Sequence, residues 1–277
     1  MDYRKGYTIK PAEVINTGEV LFTNGTEQVL ANQVVCEAYG YNYNVESGTC
    51  SAFRYNSLLN NRITNKNNKI NGQNNNTERN SNNLVIIGSS NTTKGNNTNI
   101  LITGERNEIE TSINNSSIVA GSLAKVSNQG SLVIGGGGFG EANGLSQVIF
   151  IQQSNKTLNN TETALLTQYL PLTYIQKVKN CVIGFEANVV GVNYGGEGEI
   201  GQYIYLQLKG AVKFTNGLAS TYTQTSTTIA AGGLTATATM KDVTATSFGV
   251  NVTGAAETRV QWTASVKLWQ NKLTTTF

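Results

Sequence analysis

Five glycines, Gly72, Gly88, Gly104, Gly121 and Gly135, follow one another at intervals of 16, 16, 17 and 14 residues. Each closes a short run that leans apolar: Lys69-Ile70-Asn71, Val85-Ile86-Ile87, Leu101-Ile102-Thr103, Ile118-Val119-Ala120 and Val133-Ile134. Three residues after the first three glycines stands an asparagine: Asn75, Asn91 and Asn107. Helical-hairpin repeats need about 33 residues or more, so a period this short matches one coil of a β-solenoid or β-roll. Glycine would take the positive-φ corner of each coil. Asparagine tolerates left-handed backbone and can stack into amide ladders.

That construction accounts for the composition. Asparagine occurs 36 times in 277 residues, and 20 of these fall between Asn56 and Asn115. The spacing predicts a solenoid shaft over residues 56–144, with turn positions at Gly72, Asn75, Gly88, Asn91, Gly104, Asn107, Gly121 and Gly135. About six coils stacked at about 4.8 Å would give a shaft of roughly 25–30 Å. For residues 56–83, whose coils hold only Leu58, Leu59, Ile63 and Ile70, the alternative is a disordered polar tract. With so few apolar side chains per coil, a solitary solenoid cannot offset about 1–2 kcal/mol of backbone entropy per residue. Several chains packed about one axis would bury those runs, and a homotrimer fits a thin three-sided bundle.

The flanks read as β structure too, so the fold class is all-β. Residues 1–55 form an N-terminal segment in which Thr23-Asn24-Gly25-Thr26 signals a hairpin. Cys36 and Cys50 flank an aromatic, turn-rich stretch and could face each other across a hairpin. The opening Met1-Asp2-Tyr3-Arg4-Lys5-Gly6-Tyr7 has no apolar signal segment, so the expectation is synthesis in a reducing cytosol with free thiols. Residues 145–172 are a transition, with a buried strand at Val148–Ile151 and a short helix at 162–170 closed by Pro171. Residues 173–277 suit one β-sandwich. In its last strand Val260, Trp262, Ala264, Val266 and Leu268 alternate with polar neighbours, placing Trp262 in the core and Trp269 out of phase, at a subunit interface or the tip. Tyr203–Leu208 and Phe248–Val252 are the expected neighbours of that strand.

Several chemistries drop out. The chain has no histidine, which removes histidine general bases, histidine-dependent nucleophiles and the common zinc and iron sites. A net charge of +3 gives no case for nucleic acid, and no run approaches the roughly 20 apolar residues of a membrane span. Neither metal nor cofactor is expected. Carboxylate chemistry remains, with Glu186, Glu197 and Glu199 as candidates, but Glu197 and Glu199 sit in a glycine-rich turn that reads as a solvated loop. Gly135–Gly138 lacks the Lys-Ser/Thr that completes a phosphate loop. The threonine-rich stretch 214–256, whose only charges are Lys241 and Asp242, and the rings of Tyr222 and Trp269 are candidate contacts to a glycan.

Ser117-Ile118-Val119-Ala120-Gly121-Ser122-Leu123-Ala124-Lys125-Val126, followed by Ser131-Leu132-Val133-Ile134-Gly135, resembles the head repeat of trimeric adhesins, which also occurs in phage fibres. The asparagine-bearing coils look more like phage shafts, and the segment from Val250 to Val266 is similar to a β-sandwich tip of phage virion proteins. The order of anchor, thin shaft and knob most resembles the head-fibre trimers of crAss-like phages. That resemblance implies a virion protein assembled in the host cytoplasm, not an enzyme. Its N-terminal segment would dock to the capsid or another fibre protein, and its knob would face outward to host surface carbohydrate. A tail fibre, a tailspike that degrades glycans and a bacterial trimeric adhesin share parts of this architecture.

Overall fold

The computed structural model describes residues 8–15, 18–45, 47–52, 65–136, 139, 142–169 and 171–275. The expected shaft residues Leu58, Leu59 and Ile63, and the glycines Gly137 and Gly138, lie outside them. The chain divides into two compact units, residues 1–63 and 64–277.

In the first unit, strands Lys10–Val14, Val20–Thr23 and Gln28–Val29 form an antiparallel sheet. The Asn-Gly turn forms as expected: Asn24 Oδ1 accepts from the backbone N–H groups of Thr26 and Glu27, both at 2.9 Å. The one departure from an all-β chain among the described residues is a six-residue helix, Gln33–Ala38, capped by Asn32, whose side chain accepts from Val35 N at 2.9 Å. It precedes the hairpin of Asn42–Asn44 and Thr49–Ser51. The core is small: Val20, Phe22, Ala31, Val35, Cys36 and Cys50, with Tyr39 and Tyr41 edge-on to Phe22.

The two cysteines are bonded, Cα to Cα 5.8 Å, which corrects the expectation of free thiols. The helix sets Cys36 against the hairpin strand that carries Cys50, and both sulfurs fall inside the core. So small a core needs a covalent staple. Closing a loop of 14 residues is worth about 2–4 kcal/mol. Reduction with dithiothreitol is therefore expected to make residues 8–52 protease-sensitive while leaving the melting of the second unit unchanged. Limited proteolysis followed by mass spectrometry reads both outcomes.

In the second unit the repeat folds as a β-solenoid of about four turns. Long strands Lys69–Asn71, Asn82–Ser89, Thr98–Glu105, Asn114–Ser122 and Ser131–Ile134 pair in parallel. The two-residue strands Asn76–Thr77, Thr92–Thr93, Glu108–Ile109 and Lys125–Val126 form a second parallel sheet. Register follows the period: Val85 pairs with Leu101 and Leu101 with Ser117. Six turns were expected over 56–144; the chain reverses direction after Ile134, and residues 56–64 of the expected shaft lie outside the described residues. The interior takes two residues from each of the long strands from Asn82–Ser89 onward, such as Leu84 and Ile86 or Ile100 and Ile102, and one from each short strand, Thr77, Thr93, Ile109 or Val126, whereas Lys69–Asn71 buries none. The interval of 17 is a one-residue insertion: Ile102 pairs with Ile118, but Gly104 pairs with Gly121. Ala120 is the extra residue, left-handed at φ +51°, and its N–H donates to Thr103 Oγ1 at 2.7 Å.

Charge also follows the coil spacing on the short-strand face. Lys94 pairs with Glu108 at 2.7 Å and Glu110 at 3.0 Å, and Lys125 pairs with Glu108 at 2.9 Å and also with Glu110. Burial alone would raise the Glu110 carboxyl, but hydrogen bonds from Lys125 and Lys94 outweigh it and hold the group at about 2. A carboxylate held below its unfolded value stabilises the fold above that unfolded value, and the contribution disappears as pH falls towards about 2. The melting temperature is thus expected to drop between about pH 5 and pH 2, with a shallower drop in Glu110→Gln. The groups are partly solvated, so the difference should be at most about 1 kcal/mol.

The solenoid and the C-terminal strands share one ten-stranded sheet. Ser131–Ile134 pairs antiparallel with Ser146–Thr157, which pairs with the last strand, Thr258–Lys272. Cys181–Gly196, Tyr203–Phe214 and Ser220–Gly232 complete it. The stretch 145–172 is thus not only a connector, since its strand joins the two regions. A smaller sheet of Thr163–Ala164, Ser247–Thr253, Ile175–Gln176 and Thr237–Asp242 belongs to the same core. The last strand alternates buried and exposed residues as expected, and Trp262 is 2% exposed with its indole N–H donating to Thr157 Oγ1 at 2.9 Å. Its neighbours are corrected: it lies between Ser146–Thr157 and Cys181–Gly196, whereas Ser247–Thr253 belongs to the smaller sheet. The helix expected at 162–170 is also corrected. Leu165 N donates to Val250 O at 2.8 Å and Leu166 bridges Ser154, so two open strand edges claim the backbone that a helix would have used.

Candidate functional site

The predicted turn positions come together as stacked columns. Gly72, Gly88 and Gly104 have φ of +111°, +135° and +119°. A Cβ on each would lie 1.8, 1.8 and 2.0 Å from the carbonyl oxygen of the glycine in the next coil. Gly121 differs, since Ala120 absorbs the positive φ there, and Gly135 is left-handed but faces open space. Within the glycine run that begins there, a Cβ on Gly136 would meet the Leu123 carbonyl at 2.8 Å.

Asn75, Asn91 and Asn107 form the expected ladder, but they do not themselves take the left-handed corner. That falls to the preceding residues, Asn74, Ser90 and Arg106. Asn91 Nδ2 donates to Asn75 Oδ1 at 3.0 Å and to Gly104 O at 2.9 Å, while its Oδ1 accepts from Asn107 N at 3.1 Å and Asn107 Nδ2 at 3.0 Å. The next link is Ala124 N, which donates to Asn107 Oδ1 at 2.9 Å. A second ladder, Asn67, Asn83, Asn99 and Asn115, runs on the exposed surface with all four residues left-handed. The stacked columns are structural. They set the pitch of the sheet whose outer face carries the exposed aliphatic side chains.

On that outer face, Val85, Ile87, Leu101, Val119 and Ile134 point away from the solenoid core, and Ile87, Leu101, Val119 and Ile134 are each 38–48% exposed. The register carries the row onward, Ile134 opposite Val148 and Val148 opposite Trp269. Trp269 is 41% exposed, stands opposite Gly184 and lies under the Lys267 ammonium at 4.6 Å. The result is an apolar patch in two adjacent rows on one sheet face: Val85 and Leu101 in one, which continues into Ser117, and Val119, Ile134, Val148 and Trp269 in the other. Each member was visible in the sequence, but the pairing of residues 146–157 with 260–271 that lines them up was not.

Tyr222 is placed differently. Its ring packs on the core and its hydroxyl donates to Asp242 Oδ1 at 2.6 Å, with Asp242 paired in turn to the buried Lys177 at 2.7 Å. Burial and the neighbouring Asp242 push the Tyr222 phenol up. Its hydroxyl is therefore already engaged. Of the acidic candidates, Glu186 accepts from Gln207 Nε2 at 2.9 Å, while Glu197 and Glu199 are exposed in a turn pinned by Asn193, whose amide donates to both backbone carbonyls. Burial pushes the Cys181 thiol up to about 12, so it supplies no thiolate near neutral pH. Among the described residues no group of three acidic or cysteine side chains is placed to hold a metal.

Beside the outer face lies a cleft of about 810 Å³ that sequence reasoning missed. Its walls include Leu158 and Tyr169, 66% and 70% exposed. Tyr169 fell inside the expected helix. In the fold it occupies a turn pinched by backbone hydrogen bonds between Thr167, Gln168 and Thr173.

No protein-family model matches the chain, nor does any curated protein. Among solved structures, the tailspike protein of Acinetobacter baumannii phage AM24 superposes over 76% of this chain and 50% of its own, with 7% identity and a TM-score of 0.25. The tailspike protein of Acinetobacter phage vB_ApiP_P1 superposes over 73% of this chain and 46% of its own, with 10% identity and a TM-score of 0.22. The chain thus spans about half the length of these proteins.

Proposed function

We propose that the protein is a non-enzymatic, trimeric phage appendage of the head-fibre kind, whose knob adheres weakly to host surface glycan. The observation that carries this reading is the outward apolar patch formed by Val85 and Leu101 beside the row Val119, Ile134, Val148 and Trp269. A column of aliphatic side chains on one face of a thin solenoid is stabilised when other copies cover it. Three copies about one axis place those faces inward. The phage assignment rests on the adhesin-like repeat at residues 117–135 and the sandwich tip. Adhesion then works by multivalency, since three knobs per fibre and many fibres per particle raise avidity without strong single contacts. The N-terminal unit would dock to the capsid or a second fibre protein.

Light scattering of the purified protein is expected to give about 89 kDa, three times the 29.7 kDa chain. The double variant Leu101→Lys, Val119→Lys should fall to a single chain with its β-rich circular dichroism retained. A wild-type protein that stays at one chain mass while fully folded overturns the trimer. A tailspike glycosidase would instead release sugar from host polysaccharide and lose that activity in Glu197→Gln, Glu199→Gln. Immunogold labelling of intact particles separates head fibre from tail fibre.

A further inference from the structure

We infer that the cleft between the outer sheet face and the turn carrying Tyr169 binds an acidic oligosaccharide, a chain of uronic-acid type with a carboxylate in its repeat. The inference rests on the adhesion reading and names where and to what the knob adheres.

The cleft arises where the strand Ser146–Thr157 outruns its partner. Ser131–Ile134 pairs with it only as far as Ile151. Beyond that the returning chain takes the free edge, with Ser154 N donating to Leu166 O at 2.9 Å and Leu166 N to Ser154 O at 3.1 Å. The sheet supplies a floor of short polar groups, Ser154 and Lys156 on one strand and Gln261 and Thr263 opposite them. The turn supplies the Tyr169 ring as a wall that the core does not use. A volume of about 810 Å³ suits a few sugar rings. Hydroxyls and an amide match the donor and acceptor pattern of a polyhydroxylated chain, and an exposed ring suits stacking on a sugar face.

Lys156 supplies the charge preference. Its ammonium rests over the Tyr194 ring at 5.2 Å and has no carboxylate partner among the described residues. No aspartate or glutamate lines the cleft. An uncompensated cation among neutral hydroxyls favours a carboxylate on the ligand over a neutral sugar. The cleft is also separate from the proposed trimer face. Ser154 and Lys156 lie six and eight residues beyond Val148, roughly 20 and 26 Å along the strand.

The test is calorimetry of the full-length protein with oligogalacturonate, and with the same oligomer after reduction of its carboxyl groups. Wild type should bind the acidic oligomer at least tenfold more tightly than the reduced one. Lys156→Gln should erase that difference, and Tyr169→Ala should weaken both about tenfold. Both side chains are exposed, so melting temperatures should not move. If both variants bind as wild type does, the cleft is not the site, and the inference falls while adhesion stands. If wild type binds neither oligomer at millimolar concentration, the inference falls as well. Adsorption of labelled protein to capsulated bacterial cells tests adhesion by itself.

Discussion

Gly88→Ala is expected to unfold the solenoid. The added methyl would sit 1.8 Å from the Gly104 carbonyl oxygen, at a backbone angle, φ +135°, that alanine rarely adopts. Neither strain can relax locally, because the carbonyl belongs to the next coil and is itself fixed by parallel pairing on both sides. The loss should exceed about 4 kcal/mol, in the range where a single substitution removes a structure altogether. Gly135→Ala is the control within the same unit. That residue is also left-handed, at φ +83°, but a Cβ there meets nothing within 4 Å. Its cost should be only the conformational term, about 1–2 kcal/mol. Thermal melts of the two variants against wild type measure the difference. Equal losses would mean that the glycine column is kept for its backbone angle and not for the close approach of coils.

Asn91→Asp should rank second. The Asn91 amide is completely used: two donations to Asn75 Oδ1 and Gly104 O, two acceptances from Asn107, and no exposure to water. A carboxylate keeps the acceptances, loses both donations and faces two oxygens in a buried site. Each buried group left without its partner costs about 1–3 kcal/mol, more where charge is involved. A loss of at least about 3 kcal/mol is expected at pH 7, recovering partly as acid protonates the new side chain. Asn83→Asp makes the same chemical change on the exposed ladder, where Asn83 is left-handed and water can replace the lost bond. Aspartate tolerates that backbone, so the cost there should stay below about 1 kcal/mol. Urea titrations of both variants would show whether burial, and not the ladder as such, sets the energy.

The contrast between the two ladders marks how far the sequence could be read. The 16-residue phase, the glycine column and the existence of an amide ladder were all legible, because each repeats a local requirement several times. The phase could not say which asparagine in a run such as Asn74-Asn75-Asn76 turns the corner and which faces inward. In the fold, Asn74 turns and Asn75 carries the ladder. Non-local features were hidden for the opposite reason: each occurs once. Nothing near Cys36 announces Cys50 as a partner more strongly than a hairpin would, until the capped helix is in place. Leu165 and Leu166 lie in a stretch that reads as a short helix, yet each is taken by a different sheet. The cleft follows from that diversion, so reading the helix wrongly meant missing the cleft. Trp262 and Trp269 were separable by phase alone, since strand alternation needs no partner to be counted.

The single sheet that joins the solenoid to the C-terminal strands draws its members from distant parts of the chain. The strand pairing between coils is local, one period away, so each coil is held mainly by its neighbours. The C-terminal end of that stack is the strand Ser146–Thr157, which is secured by pairing with Thr258–Lys272, more than a hundred residues later. On a ribosome, the coils therefore emerge before that last strand is made. A stretch made before its securing strand gains from being rich in asparagine and poor in long apolar runs, because little in it is sticky enough to aggregate meanwhile.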